Sequence, residues 1–126
     1  MICDNIERDG EGELCFAGVK LSSLAKEYGT PLYLYDEARI RNRARTYLSS
    51  VKSAFGENAK VLYASKAASF KRLYEIAKEE GLGIDVVSVG EIYTAKHNSP
   101  SPSRSILSHI ISLFCSKVII YSYLIA

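Results

Sequence analysis

Lys66 is the side chain in this 126-residue sequence best placed for covalent chemistry. It follows Lys60-Val61-Leu62-Tyr63-Ala64-Ser65, an apolar run of strand length. That puts it at the carboxyl end of a strand, where parallel α/β sheets and barrels carry their reactive groups. A lysine amine there can condense with an aldehyde cofactor, provided burial or a neighbouring cation keeps part of it unprotonated. A solvated surface charge is the other use of such a lysine, and position alone leaves both open. Other chemistry-bearing types are poorly arranged. Cys3, Cys15 and Cys115 lie far apart with no Cys-x-x-Cys pair, so neither a metal site nor a disulfide framework is expected. An odd number of idle thiols suits a reducing compartment. His97 and His109 fall in no motif.

Strands and helices must place Lys66. Residues 14–19 read as a short strand entering a turn, and residues 22–28 as one or two helical turns stopped by Gly29. Pro31-Leu32-Tyr33-Leu34-Tyr35 is apolar and aromatic, which predicts a strand over 32–35 closed by Asp36 in an N-cap position. Ile40, Ala44, Tyr47, Leu48, Val51 and Phe55 recur at three- and four-residue spacing, and Arg39, Arg41, Arg43, Arg45 and Lys52 mostly face water. A helix over 37–55 follows. Further strands are expected at 60–65 and 84–87, the second nearly all apolar, as strands covered on both faces are. Helices are expected at 69–80 and 90–97. Alternating strands and helices imply parallel strands joined by crossovers, so the class is α/β.

Composition is that of an ordinary globular domain, with 24% charged and 48% hydrophobic residues. A net charge of +2 and no basic patch with interleaved aromatics exclude a case for nucleic acid. The N-terminus is acidic and lacks an apolar signal segment, so a cytoplasmic body is expected. Charge is nevertheless uneven: all 14 acidic residues lie at or before Glu91, and only Lys96, Arg104 and Lys117 carry full charges beyond it. Asn98-Ser99-Pro100-Ser101-Pro102-Ser103 resembles a linker, and residues 105–126 are apolar and β-branched. About 20 such residues can cross a bilayer, but Lys117 near the middle would cost about 2.5–3.5 kcal/mol. An out-of-frame or spliced tail, a weak anchor and a native strand pair are the three readings. The expectation is that residues 98–126 do not pack as a barrel element, and no membrane partner is expected.

Three segments, in order and in spacing, resemble the diaminopimelate decarboxylase family. They are Tyr28-Gly29-Thr30-Pro31-Leu32-Tyr33-Leu34-Tyr35-Asp36, then Val61-Leu62-Tyr63-Ala64-Ser65-Lys66-Ala67, then Gly81-Leu82-Gly83-Ile84-Asp85-Val86-Val87-Ser88-Val89-Gly90-Glu91-Ile92-Tyr93-Thr94-Ala95. The family has an alanine racemase-like barrel and uses pyridoxal 5'-phosphate to convert meso-diaminopimelate into L-lysine and carbon dioxide. The resemblance implies a partial (β/α) barrel of this type, cut short. Residues 1–30 would be an N-terminal strand and helix belonging with the family's β-domain, 31–97 the cofactor-binding part, and 98–126 a tail foreign to the family. It makes Lys66 the catalytic lysine that binds pyridoxal phosphate. Asp85 is implied as a second cofactor-binding residue, with Ser88 and Glu91 as weaker candidates. Asp85 could instead be a strand-end carboxylate capping the next helix. Val89 stands where the family commonly has Gly, and Val tolerates positive φ poorly.

The resemblance also implies an amino-acid substrate and a homodimeric family. Its ring-stacking His, Gly-rich phosphate loop, pyridine-nitrogen Glu and C-terminal Cys and Tyr have no match here. Turnover is therefore not expected of this chain alone, and the 14–19 strand is expected to lack partners. Two alternatives stay open. One is another decarboxylase of the same fold type, acting on ornithine, arginine or carboxynorspermidine, or an alanine racemase. The other is a non-catalytic product of a frameshift or splice.

Overall fold

The computed structural model describes residues 4–97, 106–108 and 120–122. The chain divides into two compact units, Met1–Ala38 and Arg39–Ala126.

In the first unit, β1 (Ile6–Arg8), β2 (Leu14–Phe16) and β3 (Val19–Lys20) form an antiparallel sheet in that order, followed directly by helix α1 (Leu21–Tyr28). The expected single strand at 14–19 is thus a hairpin, and it has partners on both sides. Phe16 pairs with Val19 across a two-residue loop, Ala17-Gly18, in which both residues have positive φ (48° and 80°). That is the turn whose twist matches paired strands, and it is usually signalled by Asn-Gly or Asp-Gly. Ala at the first position hid it. The Lys20 ammonium sits 3.0 Å from Asp9 and 3.6 Å from Glu13, and it also pairs with Glu11. Those carboxylates push its pKa upward, the hydrogen bond to Glu11 most strongly. The buried Cys15 thiol is raised as well, chiefly by desolvation.

No strand forms at 32–35 among the described residues. Tyr33 is 86% exposed there. An extended apolar run becomes a strand only when a neighbouring strand pairs with it, and no strand pair includes these residues among the described ones.

Helix α2 (Glu37–Phe55) leads into β4 (Val61–Ala64), α3 (Lys71–Glu79), β5 (Gly83–Val86) and α4 (Val89–His97). β4 and β5 are parallel, with Leu62, Tyr63 and Ala64 opposite Gly83, Ile84 and Asp85. Every residue of both strands is buried, as in a parallel sheet covered on both faces. Around them pack Ala44 and Val51 of α2, Leu73, Tyr74, Ile76 and Ala77 of α3, and Ala95 of α4. α3 ends on Gly81 (φ 79°): the Leu82 N–H donates to the Ala77 carbonyl at 2.8 Å and the Gly81 N–H to that of Lys78 at 3.1 Å. This double bond satisfies the last carbonyls of the helix and requires a left-handed residue, hence Gly. Val89 opens α4 without a positive φ, so the position commonly held by Gly makes no such demand here.

The expectation that residues 98–126 stay outside the barrel is corrected at two places. β6 (Ile106–Ser108) pairs in parallel with β5, and β7 (Ile120–Ser122) in parallel with β4, giving the sheet order β6-β5-β4-β7. Parallel edges of β4 and β5 carry unpaired N–H and C=O groups, and short β-branched runs can cover them. The rest of that region lies outside the described residues. Among the described residues no helix is long and apolar enough to cross a membrane. The observed class is α/β, a part of a (β/α) barrel.

Candidate active site at the carboxyl edge of the sheet

β4 ends at Ala64, and the chain passes at once into a 3-10 turn over Ser65–Ala67 that presents Lys66, exposed, at the carboxyl edge of the sheet. Four hydroxyl groups brace this turn and the chain just after it. The fully buried Ser65 Oγ lies 2.7 Å from the Asp85 carbonyl oxygen and 2.6 Å from Glu91 Oε2. The Tyr63 hydroxyl donates to the Ala68 carbonyl at 2.9 Å, and Ser69 Oγ and the Tyr74 hydroxyl are 2.7 Å apart. A turn this tightly bonded holds the backbone of its lysine in one place, leaving only the side chain to move.

Asp85 stands opposite Ala64 in the neighbouring strand, two positions before Lys66 in register. It is 6% exposed. Among the described residues its carboxylate receives no hydrogen bond. A carboxylate that no protein donor occupies can take its partner from a ligand.

Ser88 caps α4. Its Oγ accepts the Glu91 N–H at 3.2 Å, so the helix cap is Ser88 and not Asp85. Glu91 lies three residues on, the spacing of a capping box, in which the Glu normally returns to the N–H of the cap residue. Here its Oε2 instead accepts the Val87 N–H at 2.9 Å and faces the Ser65 hydroxyl. Desolvation pushes the Glu91 carboxyl up, but bonding from Ser65, the Val87 N–H and Ser88, with the nearby Lys66 charge, outweighs it and leaves the pKa lowered. Glu91 is therefore an acceptor. Ser65 has one hydroxyl proton and two acceptors in reach, and the charged one binds it more strongly.

The structure thus brings Lys66, Asp85, Ser88 and Glu91 to one edge of the sheet, on the turn after β4, in β5 and at the start of α4. Reading the sequence missed Ser65 and the hydroxyls of Tyr63, Ser69 and Tyr74. Only the Ser88-x-x-Glu91 pattern carried a legible signal. Among the described residues no group of His, Cys, Asp and Glu is arranged to hold a metal ion.

Residues 37–111 match the family described as "Pyridoxal-dependent decarboxylase, pyridoxal binding domain". The chain is similar to the diaminopimelate decarboxylase of Bacillus subtilis, 52% identical over 84 residues, which covers 67% of this chain and 19% of that protein. Against the diaminopimelate decarboxylase of Mycobacterium tuberculosis it is 43% identical over 100 residues, covering 79% and 22%. The crystal structure of the diaminopimelate decarboxylase of M. jannaschii in co-complex with L-lysine superposes with a TM-score of 0.70 at 32% identity, over 83% of this chain and 24% of that one. The chain spans about a fifth of the length of the curated relatives it matches. With the matched segment covering the helix before Lys66, the Lys66 turn and the Asp85 strand, the chain belongs to the pyridoxal-dependent decarboxylase family.

Proposed function

We propose that this chain forms the lysine-bearing part of a diaminopimelate decarboxylase site, with Lys66 as the residue that holds pyridoxal 5'-phosphate. The observation that carries this reading is the exposed lysine on a braced turn at the carboxyl edge of the sheet, with Asp85 near the end of the neighbouring strand. These residues fit the group. An accessible primary amine is what an aldehyde cofactor requires, and an acceptor at the end of the next strand suits a cationic or N–H-bearing ligand. Bound there, the cofactor supplies the electron sink for loss of carbon dioxide from an amino acid. Lys66 anchors it, Asp85 orients it or the incoming amine, and Ser88 holds the start of α4 against the same edge. The names of the relatives and the L-lysine complex of one of them support meso-diaminopimelate as substrate and L-lysine as product.

Two measurements test this. The chain is incubated with pyridoxal phosphate and reduced with borohydride, and the fixed adduct is mapped by peptide mass. Saturable modification of Lys66 well ahead of the other lysines is expected, and modification spread evenly over all lysines would overturn the reading. Residues 13–96 are then grafted into the Bacillus subtilis relative in place of its corresponding segment. Carbon dioxide release from meso-diaminopimelate that disappears on Lys66→Ala is the expected result. The 126-residue chain by itself is expected to release no more than its Lys66→Ala control, because the family's phosphate and ring contacts have no matching motif in it.

A further inference from the structure

Glu91 departs from the ordinary behaviour of its motif. In a capping box the Glu satisfies a donor of its own helix. Glu91 leaves that donor, reaches back to the Val87 N–H at 2.9 Å, and meets a hydroxyl 26 residues earlier in the chain at 2.6 Å. That hydroxyl belongs to Ser65, the residue immediately before Lys66, and it is fully buried. The same Ser65 Oγ lies 2.7 Å from the carbonyl of Asp85. One carboxylate therefore joins the first turn of α4, the chain just beyond β5 and the turn that follows β4.

We propose that Glu91 is a positioning residue for Lys66: acting through the Ser65 hydroxyl, it fixes the turn that aims the lysine amine over the carboxyl edge of the sheet. The proposal rests on Lys66 being the cofactor lysine. The physical reason is the stiffness of a short, charge-assisted bond whose hydroxyl end is fully buried. Removing the carboxylate frees Ser65 to turn wholly to the Asp85 carbonyl. It also cuts the only link among the described residues between the Ser65 side chain and α4. The turn should then sample more orientations, and the amine should spend less time where a bound aldehyde must meet it.

The test uses the full chain with Glu91→Ala, Glu91→Gln, Ser65→Ala and the Glu91→Ala/Ser65→Ala pair. Two quantities are read: the rate of borohydride-fixed modification of Lys66 by pyridoxal phosphate, with exposed Lys71 as internal reference, and hydrogen exchange at the Lys66 backbone amide without cofactor. Each single Ala variant is expected to slow Lys66 modification about tenfold and to speed its amide exchange by a similar factor. The double variant should add nothing further, because both remove the same link. Glu91→Gln keeps a carbonyl acceptor and should restore most of the rate. Lys71 should not change. Wild-type rates in Glu91→Ala, additive losses in the double variant, or an equal loss at Lys71 would each overturn the proposal. If wild-type Lys66 shows no preference over Lys71, the cofactor reading fails by itself. Faster Lys66 amide exchange in Glu91→Ala would then still show the clamp, and unchanged exchange would remove it.

Discussion

Arg45 meets Glu80 as a fork, its Nε 2.6 Å from Oε2 and its Nη2 2.8 Å from Oε1, joining α2 to the end of α3. Arg41 adds a third bond to the same carboxylate at 2.8 Å and also pairs with Glu79. Hydrogen bonding from Arg45 first, and from Arg41 second, holds the Glu80 carboxyl down at about 2, below the ordinary 4.5. A depressed carboxyl stabilises the fold above its unfolded pKa, and that contribution is lost as the pH falls through the folded value. The advantage of the wild type over Glu80→Gln in urea midpoint should therefore be full at neutral pH. It should shrink between about pH 4.5 and about pH 2. A difference independent of pH across that window would show that the arginines contribute packing and not charge.

Ser88→Ala removes the acceptor for the Glu91 N–H and should cost about 0.5–2 kcal/mol of stability, whereas Ser88→Gly should cost only a few tenths. Urea unfolding of the two variants measures this. A cost for Gly as large as that for Ala would mean that the hydroxyl's partner is something other than the helix start.

Asp85→Asn removes the charge of a carboxylate that has no donor among the described residues and keeps its size. Without cofactor the variant should unfold at nearly the wild-type urea midpoint, because no protein donor depends on that charge. It should show lower occupancy of Lys66 by pyridoxal phosphate after borohydride reduction. Equal occupancy would remove Asp85 from the cofactor site.

Ending the chain after His97 strips β6 and β7 from the sheet and exposes both edges of the β4–β5 pair. The remaining strands keep the helices packed on them but lose the neighbours that pair their outer backbone groups. The shortened chain should lose its sharp unfolding transition, seen as a broadened, low-temperature melt by circular dichroism. A melt identical to that of the full chain would show that the two strands contribute nothing.

Much of this was open to reading from residue pattern. Ile40, Ala44, Leu48 and Val51 mark one face of a helix that runs over 37–55, as their spacing requires. The largely apolar runs around Leu62 and Ile84 pointed to buried parallel strands. The failures have identifiable causes. Ala17 adopts positive φ, which its type does not advertise, and so a hairpin read as one strand. Leu32 and Tyr33 look like strand residues, but pairing is a property of neighbours, and no described strand lies against them. Ile106–Ser108 and Ile120–Ser122 are three residues each, too short for periodicity to rise above the apolar background around them. The position of Lys66 just after a strand was legible from the apolar run before it. Ser65 was not, since its role depends on a residue 26 positions away that only the fold delivers.

The order β6-β5-β4-β7 has a consequence for biosynthesis. Leu62 meets Gly83 soon after both emerge from the ribosome, but Val61 must await Ile120, almost half the chain later. At ~5–20 residues per second, that leaves the outer edge of the lysine-bearing strand open for roughly 3–12 s in each nascent chain. An open parallel edge is a template for another chain. Polysomes translating this message would hold several such edges at once, and chaperone demand should peak while the ribosome traverses the codons between Glu91 and Ile120.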